Sequence, residues 1–142
     1  AGAVFKGWSG EGCSGSGRCV VTMTAMRSVR AIFSTAFTRP NPTPRVSAIQ
    51  AADITDLRSA INTLRAQNFG LGGLTFTDPT LVIRRTTVKA VHITELRSAL
   101  NEAYVQAGLA LPSYSASALT PGATVIRAAD VNELRSAVLA LE

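Results

Sequence analysis

Ile49-Gln50-Ala51-Ala52-Asp53-Ile54-Thr55-Asp56-Leu57-Arg58-Ser59-Ala60-Ile61 is the first of three segments that align without gaps. The others are Val88-Lys89-Ala90-Val91-His92-Ile93-Thr94-Glu95-Leu96-Arg97-Ser98-Ala99-Leu100 and Ile126-Arg127-Ala128-Ala129-Asp130-Val131-Asn132-Glu133-Leu134-Arg135-Ser136-Ala137-Val138, at steps of 39 and 38 residues. Apolar residues recur at i, i+3, i+7 and i+10: Ile54, Leu57, Ile61, Leu64; Ile93, Leu96, Leu100, Ala103; Val131, Leu134, Val138, Leu141. This is the stripe of an amphipathic helix. The spacing predicts three helices of roughly 15 residues whose stripes bury one another.

The repeat extends beyond the helices. Twelve residues before each segment stands an aromatic, Phe37, Phe76 and Tyr114, and Phe37-Thr38-Arg39-Pro40 matches Phe76-Thr77-Asp78-Pro79. Gly70-Leu71 and Gly108-Leu109 follow the first two helices, glycine being a common helix stop. Each unit is therefore an aromatic-headed extended segment, a helix and a glycine stop, giving units 37–75, 76–113 and 114–142. The aromatics are expected to cap the core from the side.

Arg58, Arg97 and Arg135 each follow the central leucine of a stripe. None has an acid three or four residues before it, so local ion pairing does not explain them. At the stripe's edge a guanidinium fork can bond carbonyls of a neighbouring unit's extended segment, and this packing role is preferred to a row of anion-binding sites. Asp53 and Asp130 fit the attraction of acids to helix N-terminal amides. His92, at the same place in the middle unit, is expected to face solvent.

The composition excludes several functional classes. Only 16% of the 142 residues are charged, and the net charge of +5 comes from scattered bases, with Arg84-Arg85 the single adjacent pair, so no nucleic-acid footprint emerges. Residues 1–36 carry +3 and the rest +2. No apolar run approaches the roughly 20 residues of a membrane span. The start, Ala1-Gly2-Ala3-Val4, lacks the leader and apolar core of a signal peptide and fits a processed end. Two cysteines and one histidine cannot complete a zinc site, and no phosphate loop, calcium loop or nucleophile-base set is present. No enzyme, cofactor or metal is expected.

In Cys13-Ser14-Gly15-Ser16-Gly17-Arg18-Cys19 the glycines and serines allow a tight reversal, and a structural disulfide between Cys13 and Cys19 is expected, pointing to an oxidising, extracytoplasmic setting. Residues 4 to 34 alternate with a period of two and predict three strands, Val4 to Trp8, Cys19 to Thr24 and Ser28 to Phe33, with Ala25-Met26-Arg27 joining the last two. Trp8 is expected to plug this module's centre. The fold class is α+β: a small disulfide-pinned antiparallel β module, residues 1–36, then a three-helix repeat domain, residues 37–142.

Phe5-Lys6-Gly7-Trp8-Ser9-Gly10, the Cys13-to-Cys19 loop, Val21-Thr22-Met23 and Ser28-Val29-Arg30-Ala31-Ile32-Phe33 resemble, in order, the second half of the bacterial B-repeat-like β module. That family occurs as tandem domains in large secreted and cell-wall-attached proteins, which implies a spacer or adhesive role with no catalytic residues. Members are about twice as long, with strands ahead of the Phe-x-Gly-Trp segment. The helical part is similar to an uncharacterised Glu-Leu-Arg repeat of large secreted bacterial proteins.

The expectation is a non-enzymatic, secreted, extracellular or cell-surface structural subunit that self-assembles head-to-tail into a filament or surface layer. The alternative is an adhesive module of a larger secreted protein, binding a glycan, with an anionic glycan or cell surface as partner. A β module this small needs completion. The candidate assembly edge comprises Val4, Phe5, Trp8, Val29, Ala31 and Phe33, completed by an adjacent copy's Thr75 to Arg84 or Ser113 to Ile126 or by its helical face; the alternative is that the chain's own helices fold back over the edge and leave a monomer.

Overall fold

The computed structural model describes residues 2–116 and 118–142; Ala1 and Ser117 lie outside the described residues. It comprises two compact units, residues 2–36 and Phe37–Glu142.

In the first unit, β1 (Gly2–Gly10) pairs antiparallel with β2 (Val29–Ala36) in a two-stranded sheet. Phe5 stands opposite Phe33 and Trp8 opposite Ala31, with a register shift between Phe5 and Gly7. The bulge leaves Gly7 so close to the loop that a Cβ would sit 2.9 Å from the Gly15 carbonyl oxygen. The loop is fixed there by Trp8 N–H donating to Gly15 O at 2.8 Å and Trp8 Nε1 donating to Gly17 O at 3.0 Å. Cys13 and Cys19 stand at disulfide distance, their Cα atoms 5.5 Å apart. Phe5 makes edge contacts with Trp8 and Phe33, with centroids 5.1 and 5.5 Å apart.

The expected strand from Cys19 to Thr24 does not form. Its one backbone hydrogen bond among the described residues is the short-range Thr24 N–H to Thr22 O, which closes a tight turn, and Val20 and Met23 face solvent. Period-two alternation indicates a segment suited to a sheet; it cannot supply the neighbouring strand. The expected hairpin connection at Ala25-Met26-Arg27 is accordingly replaced by one long excursion between β1 and β2. Trp8 is half-buried and braces the loop with its indole N–H, so it is not an enclosed plug.

The second unit holds α1 (Ala51–Asn68), α2 (Ala90–Gln106) and α3 (Ala128–Ala140). Ile54, Leu57, Ile61, Leu64, Ile93, Leu96, Leu100, Ala103, Val131, Leu134 and Val138 form one buried cluster, with Leu141 at its margin. At each helix start the third residue's side chain accepts the backbone N–H just outside it: Gln50 to Asp53 at 2.8 Å, Lys89 to His92 at 3.2 Å and Arg127 to Asp130 at 2.8 Å. Past α1, Leu71 N–H returns to Arg65 O at 2.9 Å; past α2, Leu109 N–H returns to Tyr104 O at 3.0 Å, both through a glycine.

Neighbouring helices run in the same direction. Arg97 on α2 meets Asp130 near the start of α3, and Tyr104, two turns on, bonds Ala137 O, two turns further along α3, at 2.9 Å. Arg65, the repeat equivalent of Tyr104, likewise bonds Ala99 O on α2 at 2.8 Å. Parallel helices require each extended segment to carry the chain back from a helix C-terminus to the starting end. There it reverses in a repeated turn, in which Ser47, Thr86 and Thr124 N–H donate to Thr43, Val82 and Thr120 O. The third turn residue is left-handed in every copy: Arg45 at φ 62°, Arg84 at 62° and Gly122 at 75°.

Candidate functional site

The three repeated arginines make the same contact at three seams. Arg58 donates to Thr77 O at 2.6 Å and Asp78 O at 2.8 Å, and its guanidinium lies 5.0 Å from the Phe76 ring centre. Arg97 donates to Ala116 O at 2.6 Å and Asp130 Oδ1 at 2.8 Å, over Tyr114 at 4.4 Å. Arg135 donates to Arg39 O, Pro40 O and Asn41 Oδ1 at 3.0 to 3.2 Å and to Asp53 Oδ1 at 2.9 Å, over Phe37 at 4.7 Å. The first unit grips the second, the second the third, and the third the first. The helical unit is a closed three-membered ring.

Each aromatic is thus sandwiched between the core and an arginine, where stacking and bonds to backbone carbonyls act together. Burial pushes the Arg135 guanidinium down from its usual range, opposed by the carboxylates of Asp53 and Asp56. Burial also pushes the Tyr114 phenol up to about 12, against the pull of Arg97. A second set of contacts holds each return segment to its own helix. Asp56 accepts the amide and hydroxyl of Thr38, Glu95 those of Thr77, and Glu133 those of Ser115.

The seams differ in one polar pair. Arg39 pairs with Asp53 at 2.5 Å in the first unit, whereas the equivalent positions in the second hold Asp78 and His92, with Nε2 3.1 Å from Asp78 Oδ2. The polarity is exchanged and the contact kept. His92 therefore does not face solvent as expected; it is fully buried. Its Nδ1 accepts the Lys89 amide, which leaves Nε2 to carry the hydrogen toward Asp78. Lys89 Nζ, 2.8 Å from the same carboxylate oxygen, and His92 hold the Asp78 carboxyl below its usual range. The signal was present in the sequence as Arg39 against Asp78 at one repeat position and Asp53 against His92 at the other.

The candidate edge residues divide by position. Val4, Phe5 and Trp8 lie on β1, whose outer side is bridged at Trp8 by Gly15. Val29, Ala31 and Phe33 lie on β2, and among the described residues of this unit no backbone bond reaches its outer side from Val29 to Ser34. Val4, Ile32 and Phe33 are exposed.

Among the described residues no three His, Cys, Asp or Glu side chains are grouped to hold a metal ion, and no helix is long and apolar enough to cross a membrane. Compared with known proteins, the chain matches no family model, no curated protein and no solved structure.

Proposed function

We propose that the chain is a non-enzymatic extracellular structural subunit whose β unit takes up an extended segment of another copy, joining copies head-to-tail into a filament or surface layer. The observation that carries this reading is the outer edge of β2. Among the described residues, Val29 to Ser34 has backbone bonds to β1 on one side and none on the other, and it presents exposed Ile32 and Phe33, the kind of template that strand addition uses.

The same unit offers a donor. Cys19 to Thr24 has strand periodicity and, among the described residues, no strand partner. It is a better donor than the return segments, because Thr77, Asp78 and Ala116 carbonyls and the Thr77 and Ser115 amides are already engaged within the ring. Donor and acceptor differ, so the contact can repeat without closing. The disulfide pair fits an oxidising location, as does the resemblance to B-repeat-like modules of secreted proteins.

Sedimentation velocity and negative-stain microscopy of the full chain test this. Assemblies that lengthen with concentration are expected, and Phe33→Lys should abolish them while leaving the helical circular-dichroism signal intact. A monodisperse monomer at every concentration tried would sink the reading.

A further inference from the structure

The parallel helices gather their three preceding turns at one end of the ring, and that end has an unusual surface. Arg45, Arg84, Arg85 and Arg127 are exposed there. Among the described residues none of their guanidiniums has a hydrogen-bond or salt-bridge partner, although every other base of the helical unit is paired or bonded. Between them stand aliphatic side chains with little cover: Val46 is 81% exposed, Val125 77%, Ile83 58% and Val82 46%. Arg45, Val46, Val125 and Arg127 border one groove of about 720 Å³ between the first and third units. Val82, Ile83, Arg84 and Arg85 occupy the equivalent turn of the second unit.

Two of these arginines hold a backbone conformation that their side chain disfavours. At the third turn position the third unit uses Gly122, which enters the left-handed region without steric cost, whereas the first and second units place Arg45 and Arg84 there. Neither guanidinium makes a contact in the ring that would explain the choice. Strain held without an internal partner points to an external one.

We propose that this end of the ring docks on an anionic phospholipid surface, the guanidiniums engaging lipid phosphates and Val46, Val82, Ile83 and Val125 entering the headgroup boundary. Charge alone would suit any polyanion. The aliphatics decide between them, because a polysaccharide or nucleic acid leaves them in water, whereas a bilayer buries them beside the bound phosphates. The unit's Phe37, Phe76 and Tyr114 are covered by internal arginines, so they offer no stacking platform for bases. This surface belongs to the ring and is independent of the strand edge.

Co-sedimentation of the full chain with vesicles provides the test, comparing pure phosphatidylcholine with vesicles containing about one-third phosphatidylglycerol. Binding to the anionic vesicles alone is expected. Arg45→Gly with Arg84→Gly copies the third unit's own turn, so the melting temperature should hold or rise while partitioning falls about fivefold per arginine removed. Gly122→Arg should strengthen partitioning by a similar factor. Val46→Ser with Ile83→Ser should weaken it with charge unchanged. The proposal is overturned if the Arg→Gly pair leaves partitioning intact. Indifference to the Val46→Ser and Ile83→Ser changes overturns it too, as does tighter binding to polygalacturonate or duplex DNA than to the anionic vesicles.

Discussion

In the helical unit the repeated polar side chains have fixed partners: Arg58, Arg97 and Arg135 clamp the next segment, and Asp56, Glu95 and Glu133 hold their own. In residues 2–36 two strands share one ladder, a disulfide joins cysteines six positions apart, and Val20, Met23 and Phe33 remain in contact with water. The difference follows from what each sequence contains. Three copies of one amphipathic pattern supply one another's missing neighbours, so their satisfaction is internal. A pair of strands has no third copy to turn to. Order in the first region is carried by packing; in the second it rests on one ladder, a few aromatic contacts and a covalent link.

The largest test of this contrast is in the ring. Arg135→Ala removes the clamp that joins the last unit to the first and leaves Asp53 without one of its two guanidinium partners, with an expected loss of about 3 to 5 kcal/mol in urea unfolding. Leu96→Ala, at a fully buried site, should cost about 2 to 5 kcal/mol. Both should unfold the helices in one transition, and separate melting of α1 or α3 would break the picture of a cooperative ring. Replacing Cys13 and Cys19 by serine should cost about 2 kcal/mol, set by the short loop they close. Amide exchange should rise in residues 2–36 and stay constant in the helices. Equal loosening of both regions would erase the distinction between them.

Two titrations probe the seams more gently. Asp78 has a depressed folded pKa, so its contribution to stability is present above the ordinary carboxylate range and fades as pH falls through and below 3.8. Asp78→Asn should remove that part of the acid slope, read from melting temperature against pH, and Asp78→Arg with His92→Asp should restore the first unit's arrangement at the second. For Tyr114 the sign is opposite. Its folded pKa is raised from 10.0 to about 12, so stability is held up to pH 10 and declines between 10 and 12 as the unfolded chain ionises first. Tyr114→Phe should flatten that decline.

The helical fold was legible because its information is repeated: the stripes, the aromatics twelve residues upstream and the glycine stops all recur at steps of 39 and 38. The clamp of arginine on a neighbouring extended segment also followed from position, since Arg58, Arg97 and Arg135 sit at the stripe's edge. Closure did not follow, because nothing local tells Arg135 that its partner is 82 residues earlier at Asp53. The burial of His92 was hidden for the same reason: its partner, Asp78, was visible only by comparing units. In the β unit the alternation from Cys19 to Thr24 was real as a pattern, but strand formation depends on a neighbour that no short sequence window contains.

Ring closure also bears on how such a chain can change over generations. An open solenoid lengthens by copying a unit, since every new copy meets the same neighbour at its end. Here the last clamp is already spent on the first segment, and a fourth unit would have to break an existing seam to enter. The number of units is locked at three, and inheritance is left with single-residue choices inside a fixed frame. Arg39 and Asp53 against Asp78 and His92 is one such choice, a polarity exchanged in place. Arg45 and Arg84 against Gly122 is another. A ring that closes on its third unit diversifies by making its three equivalent corners unlike one another.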